Sequence, residues 1–187
     1  EAMNRDPRFY QTIFVPNGTP WLIDNGDTTY FEEIYNTRLF SENIWTTPTG
    51  YMRRKDYNPI LAYHHANYEE TPAIQFRYAE VLLNFAEAKA ELGTLSQHDI
   101  DISIKKLRDR VGMPNLIINS IPTDPNWEFP ELSPVLNEIR RERKIELALE
   151  NFRFDDIARW AAADELIFGK RPKGAKASQF AITPIYP

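Results

Sequence analysis

The stretch Glu138-Ile139-Arg140-Arg141-Glu142-Arg143-Lys144-Ile145-Glu146-Leu147-Ala148-Leu149-Glu150-Asn151-Phe152-Arg153-Phe154-Asp155-Asp156-Ile157-Ala158-Arg159-Trp160 decides the fold. Wound as a helix, it places Glu138, Glu142, Glu146 and Glu150 four residues apart, on one face. Like charges at that spacing repel by roughly a few tenths of a kcal/mol per pair, so a four-carboxylate stripe beside Ile139 and Leu147 needs cations. Arg141 can answer Glu138 and Arg143 can answer Glu146 within the helix. The remaining positive charge has to come from other segments, and Arg77, Arg108, Arg153 and Arg159 are the candidates, because a guanidinium pairs bidentately with a carboxylate. The expectation is a helix locked to its neighbours by ion pairs. It starts at Ser133-Pro134, with Ser133 as N-cap and Pro134 at the first helical position, and runs to about Glu150. Asn151 then turns the chain into a second helix, from Phe152 or Arg153 to about Leu166, ended by Gly169. Phe154, Ile157, Ala158 and Trp160 form its apolar side, with Trp160 in the core at the helix junction.

Upstream, Ala79, Leu82, Leu83, Ala86 and Ala90 recur at helical spacing and predict a helix over Tyr78 to Leu92, with Gly93 as its stop. Ile100, Ile104, Leu107 and Val111 predict one more, from Gln97 or His98 to Val111, closed by Gly112 and Pro114. Alanines allow close helix approach, and the connection Gly93-Thr94-Leu95-Ser96 is short, so the pair reads as a hairpin of the tetratricopeptide kind. Residues 1–71 have another character, rich in aromatics, Thr, Asn, Asp and Pro, with no lasting helical period. There Pro16-Asn17-Gly18 and Asp24-Asn25-Gly26-Asp27 are turn signals. The chain thus reads as mostly α with little strand: a loop-rich region over 1–71, a helical scaffold over 72–169 and a C-terminal loop over 170–187.

The 187 residues carry a net charge of -5, with acids and bases interspersed, so nothing in the charge pattern attracts nucleic acid. Cysteine is absent, which excludes disulfides, thiolate metal sites and thiol nucleophiles. No stretch approaches the ~18 apolar residues of a membrane span, and the start lacks the basic and apolar runs of a signal peptide. Without an initiating Met and with no element closing its end, the chain is expected to be part of a longer protein. None of His64, His65 or His98 has a Glu three residues away, so a carboxylate-bridged metal pair is not expected, and no cofactor is called for. The basic run from Lys170 to Lys176 reads as a solvated loop, with a phosphate or acidic glycan as the alternative.

Glu142-Arg143-Lys144-Ile145-Glu146-Leu147-Ala148-Leu149-Glu150, followed by Arg153, Asp156, Arg159 and Trp160, resembles the hallmark of the SusD/RagB-like outer-membrane proteins. Arg77 to Ala88, Asp6-Pro7-Arg8-Phe9-Tyr10, and Leu107 to Gly112 are similar to further segments of that family, in the same order. Where the family commonly has glycine after the last Glu, this chain has Asn151. The resemblance implies tetratricopeptide-like hairpins, a lipidated surface protein of the outer membrane whose anchor lies outside this chain, and delivery of oligosaccharide to a SusC-like TonB-dependent transporter. It implies binding without catalysis; an adaptor that binds protein through its helices is the alternative.

A sugar ring offers apolar C–H faces ringed by hydroxyls, so its receptor needs aromatic platforms flanked by polar side chains. Residues 1–71 supply that composition, with Trp21, Tyr30, Tyr35, Asn43 and Trp45 as candidate ligand residues. Trp21 and Trp45 lead, since turn residues beside each would hold it at a surface. The competing reading is that these rings pack the loops onto the helices.

Overall fold

In the computed structural model, which describes residues 5–15, 18–31, 51–64 and 74–170, helix dominates, at about 48% against 10% strand. Two units are distinguished: Glu1–Phe9 with Ala73–Lys170, and Tyr10–Pro72 with Arg171–Pro187. The boundary falls within the short helix α1 (Arg8–Thr12).

In the first unit the alanine-rich period folds as α2 (Tyr78–Glu91), burying Ala79, Leu82, Leu83 and Ala86. Its end is a left-handed stop: Gly93 takes φ +66°, its N–H reaches the Ala90 carbonyl, and the Thr94 N–H reaches that of Lys89. Three residues later Ser96 opens α3 (Gln97–Ile102) with a capping box, exchanging hydrogen bonds with Asp99 through both side chains. The single helix expected from Gln97 to Val111 is two, α3 and α4 (Ile104–Arg110), broken at Ser103 (φ -123°, ψ -89°). Ser103 is fully buried and its hydroxyl donates to the Asp99 carbonyl, a bond that competes with the helical ladder.

After a Pro-rich crossing that carries Pro122, Pro125 and Pro130, α5 (Pro134–Glu146) starts where expected, the Ser133 hydroxyl accepting from the Leu136 N–H. Asn137 pins the crossing to this helix, giving hydrogen bonds to the carbonyls of Phe129 and Leu132 and taking one from the Phe129 N–H. The helix stops four residues before Glu150. Leu149 and Asn151 both adopt positive φ (66° and 69°), and Arg77 donates to the Glu146 carbonyl, satisfying a terminal acceptor in place of another turn. Asn151, at φ 69° and ψ 5°, sits in the left-handed conformation that a glycine would otherwise supply.

The last predicted helix is also two, α6 (Phe152–Arg159) and α7 (Ala163–Leu166), separated by Ala161 at φ 50°. Its apolar side differs from the expectation. Phe154 is exposed and Asp156 is buried, because Arg143 of α5 holds the Asp156 carboxylate with two 2.8 Å contacts from its Nε. Trp160 is half-buried at the end of α6 rather than enclosed in the core. The core itself gathers Leu82, Leu83, Ile100, Ile104, Leu107, Leu116, Ile139 and Leu147, with Phe152 packed against it.

In the second unit β1 (Ile13–Phe14) pairs antiparallel with β4 (Met52–Arg53), and β2 (Pro20–Asp24) with β3 (Asp27–Tyr30). The β2–β3 hairpin turns on Asn25-Gly26, both at positive φ (49° and 95°), as a two-residue turn between twisted strands requires.

Candidate functional site

The carboxylate stripe is the most strongly constrained feature of the first unit. Glu142 is nearly enclosed and lies between Arg8 Nη1 (2.5 Å) and Arg108 Nε (2.9 Å). Glu146 receives Arg77 (2.9 Å), Arg110 (2.9 Å) and Arg8 (3.2 Å), while Arg108 and Arg141 share Glu138. Arg77 closes the row on Glu150 with two bonds, of 2.7 and 2.8 Å. Burial alone would raise the Glu146 carboxyl, but the Arg77 hydrogen bond, the charges of Arg110 and Arg77, and the Arg8 hydrogen bond outweigh it and hold it below the ordinary carboxylate range. Desolvation would likewise lower Arg8, and its bonds to Asp6 and Glu142 overcome that and hold its guanidinium firmly protonated.

The expected cations divide. Arg77 and Arg108 reach the stripe. Arg159 instead forks onto Glu87 (2.7 Å to each oxygen), which also accepts from Trp160 Nε1, and Arg153 bonds Glu128 (3.1 Å). Arg141 answers Glu138 as expected (2.6 Å), whereas Arg143 turns to Asp156 and Asn84. Arg8 and Arg110 were missed: Arg8 lies more than a hundred residues away in sequence, and no periodicity links it to α5. This is a chemistry of fixed, saturated charge. A general acid needs a carboxyl raised toward neutrality, and Glu146 is displaced the other way.

The second unit carries the aromatic candidates. Trp21 is the extra residue of a β-bulge between Pro20 and Leu22, an irregularity that re-aims a side chain. Its ring stacks on Tyr57 (5.3 Å between centroids, 20°) and meets Phe14 edge-on (5.1 Å). Phe14 in turn stacks on the fully buried Phe31 (5.0 Å), and the Tyr57 hydroxyl donates to the Trp21 carbonyl (2.6 Å). Trp21 is therefore half-buried and part of an aromatic cluster. Tyr30, paired with Pro20 at the open end of the hairpin, is 42% exposed. Tyr35, Asn43 and Trp45 lie outside the described residues. Tyr57 was not singled out from sequence; 36 residues separate it from the Trp21 carbonyl it binds. The exposed His64 ring donates from Nε2 to the Asn58 carbonyl (2.6 Å), and His65 lies outside the described residues. Among the described residues no group of three or more His, Cys, Asp or Glu side chains is placed to hold a metal ion, and no helix there is long and apolar enough to cross a membrane.

A search of curated proteins found no match. Two solved structures from Bacteroides fragilis are similar to this chain. One is a SusD-like protein, with a TM-score of 0.64 and 28% identity over 88% of this chain and 29% of its own. The other is a SusD-like carbohydrate binding protein, with a TM-score of 0.56 and 28% identity over 88% of this chain and 30% of its own. This chain thus spans about three-tenths of the length of either structure. The SusD (SusD/RagB) family model matches residues 1–184, nearly the whole chain: by sequence and by structure, the chain belongs to the SusD family.

Proposed function

We propose that this chain is part of a non-catalytic protein that binds oligosaccharide or polysaccharide nutrients at the bacterial surface and delivers them to a SusC-like TonB-dependent transporter of the outer membrane. Membership of the SusD family carries this reading, and the likeness to a solved SusD-like carbohydrate binding protein supports it. Membrane attachment would be through a lipid anchor outside residues 1–187. Residues 1–71 are assigned to ligand, 72–169 to the scaffold and 170–187 to a C-terminal loop. Within the ligand region Trp21, Tyr30, Tyr35, Asn43 and Trp45 are the residues proposed to meet the sugar. Tyr30 is the cleanest to test, since its ring is substantially exposed, whereas Trp21 also packs its own unit.

Calorimetry of the full-length protein against a polysaccharide panel tests the assignment. At least one glycan should bind, and Tyr30→Ala should weaken that binding about tenfold, the loss of one stacking contact. Product release from any glycan, or binding to none of them, refutes it.

A second reading, the tetratricopeptide-like adaptor, draws on the exposed apolar residues Tyr78, Val81, Phe85 and Leu92 of α2 and its cap, with Ile74 and Phe76 just before them. It is favoured if a Val81→Glu variant loses a protein partner while glycan binding is unchanged.

A further inference from the structure

A cavity of about 140 Å³ lies between the Pro-rich crossing and α5, lined by Trp127, Glu128, Phe129, Arg140, Arg141 and Lys144 among others. Two of its walls carry buried N–H groups with no hydrogen-bond partner, Trp127 Nε1 and Arg140 Nε. Arg140 is only 8% exposed. Its guanidinium packs against two rings that meet edge-on, 4.7 Å from the Phe129 centroid and 4.4 Å from that of Trp160, and Nη2 reaches Glu91 (3.0 Å). Next to it Arg153, which bonds Glu128 and lies 5.9 Å from the Trp160 ring, has a buried Nη1 without a partner as well.

A buried donor without an acceptor has lost its hydration and gained nothing in return, the more so when it is charged, so three in one neighbourhood call for an acceptor. All three are donors, and two belong to cations. The lining carboxylates do not answer them. Glu128 already serves both Lys144 and Arg153, and Asp124 accepts from the Asn126 N–H (2.8 Å). Sites for drug-sized ligands run from about 300 Å³ upward, so this cavity fits one small group rather than a glycan chain.

We propose that the cavity binds a small carboxylate, whose oxygens accept from the Trp127 indole N–H and the Arg140 Nε–H while its charge faces Arg140, with Arg141 and Lys144 also on the lining. The carboxylate could belong to a free short-chain acid or to an acidic sugar. The site is in the helical scaffold, so it is independent of the aromatic-loop reading, and Tyr30→Ala should leave it intact.

The full-length protein, labelled with ¹⁵N at tryptophan, is titrated with sodium acetate, sodium glucuronate, glucose and sodium chloride at matched ionic strength. The indole signal assigned through Trp127→Phe is followed. A saturable shift with acetate or glucuronate, absent with chloride and glucose, is expected; tighter binding of glucuronate than of acetate identifies the acidic sugar as the source. Arg140→Lys, followed on the same signal, should weaken binding about tenfold, and so should Trp127→Phe, followed by saturation transfer to the ligand, since each removes one charge-assisted bond. The Trp127 variant stands alone if the Arg140 variant does not fold. No saturable shift, an equal shift with glucose or chloride, or unchanged affinity in Trp127→Phe overturns the proposal.

Discussion

Replacing Arg8 with methionine keeps most of the stem volume and removes a charge that three carboxylates share: Asp6, Glu142 and Glu146. The side chains of Arg8, Glu142 and Glu146 are 3%, 2% and 1% exposed, so solvent screening offers little relief. At charge separations near 4 Å and an effective dielectric of about 20, one such pair is worth roughly 4 kcal/mol before desolvation. Removing one partner of a buried pair typically costs about 3–5 kcal/mol, because the other is left charged and dry. Here Glu142 keeps Arg108 and Glu146 keeps Arg77 and Arg110, which places Arg8→Met near the lower end, about 3 kcal/mol. For a folding unit of this size that lowers Tm by about 6–12 °C. Urea denaturation of the wild type, Arg8→Met, Glu142→Gln and the double variant closes a thermodynamic cycle. The double variant should cost about 2 kcal/mol less than the sum of the singles, the coupling of groups in one network. Arg8→Lys, which keeps the charge without the fork, should fall between wild type and Arg8→Met. A loss below about 1 kcal/mol for Arg8→Met, the range of an exposed pair, or strict additivity in the cycle, would refute the buried-network account.

Acid should weaken the same network. The folded protein holds Glu146 below its ordinary 4.5 and Asp6 below its ordinary 3.8, so it favours their charged forms. The stability this contributes is complete above the unfolded values and is lost as pH falls through the folded ones; urea midpoints should therefore drop below about pH 4.5, and less steeply in Glu146→Gln. Asn151→Val should cost about 2 kcal/mol, because a β-branched residue resists φ near +69°, whereas Asn151→Gly should stay within about 0.5 kcal/mol; thermal denaturation distinguishes them. Trp21→Ala should cost about 2 kcal/mol through its half-buried cluster with Phe14 and Tyr57, and Trp21→Phe under about 1 kcal/mol, read by the same melting curves.

The sequence by itself determined the helical character, the starts of α2, α3, α5 and α6 and the purpose of the stripe. Those follow from local rules: Ala and Leu at spacings of three and four place α2, Ser133-Pro134 places the start of α5, and four acids on one face demand guanidinium partners. It also identified Asn25-Gly26 as a turn, since positive φ is a local property. Tertiary structure decided which arginines answer which acids. Arg8 and Arg110 joined the stripe, while Arg153 and Arg159 served Glu128 and Glu87, because pairing depends on where distant segments come to lie and the sequence leaves that open. Helix ends were decided the same way. Ser103 broke one helix by bonding to a buried carbonyl, and Arg77 stood in for the last turn of α5, so both ended earlier than the apolar period suggests. The same dependence exposed Phe154 and buried Asp156: Arg143 needed a carboxylate more than the core needed another ring, a choice that exists only once α5 and α6 are in contact.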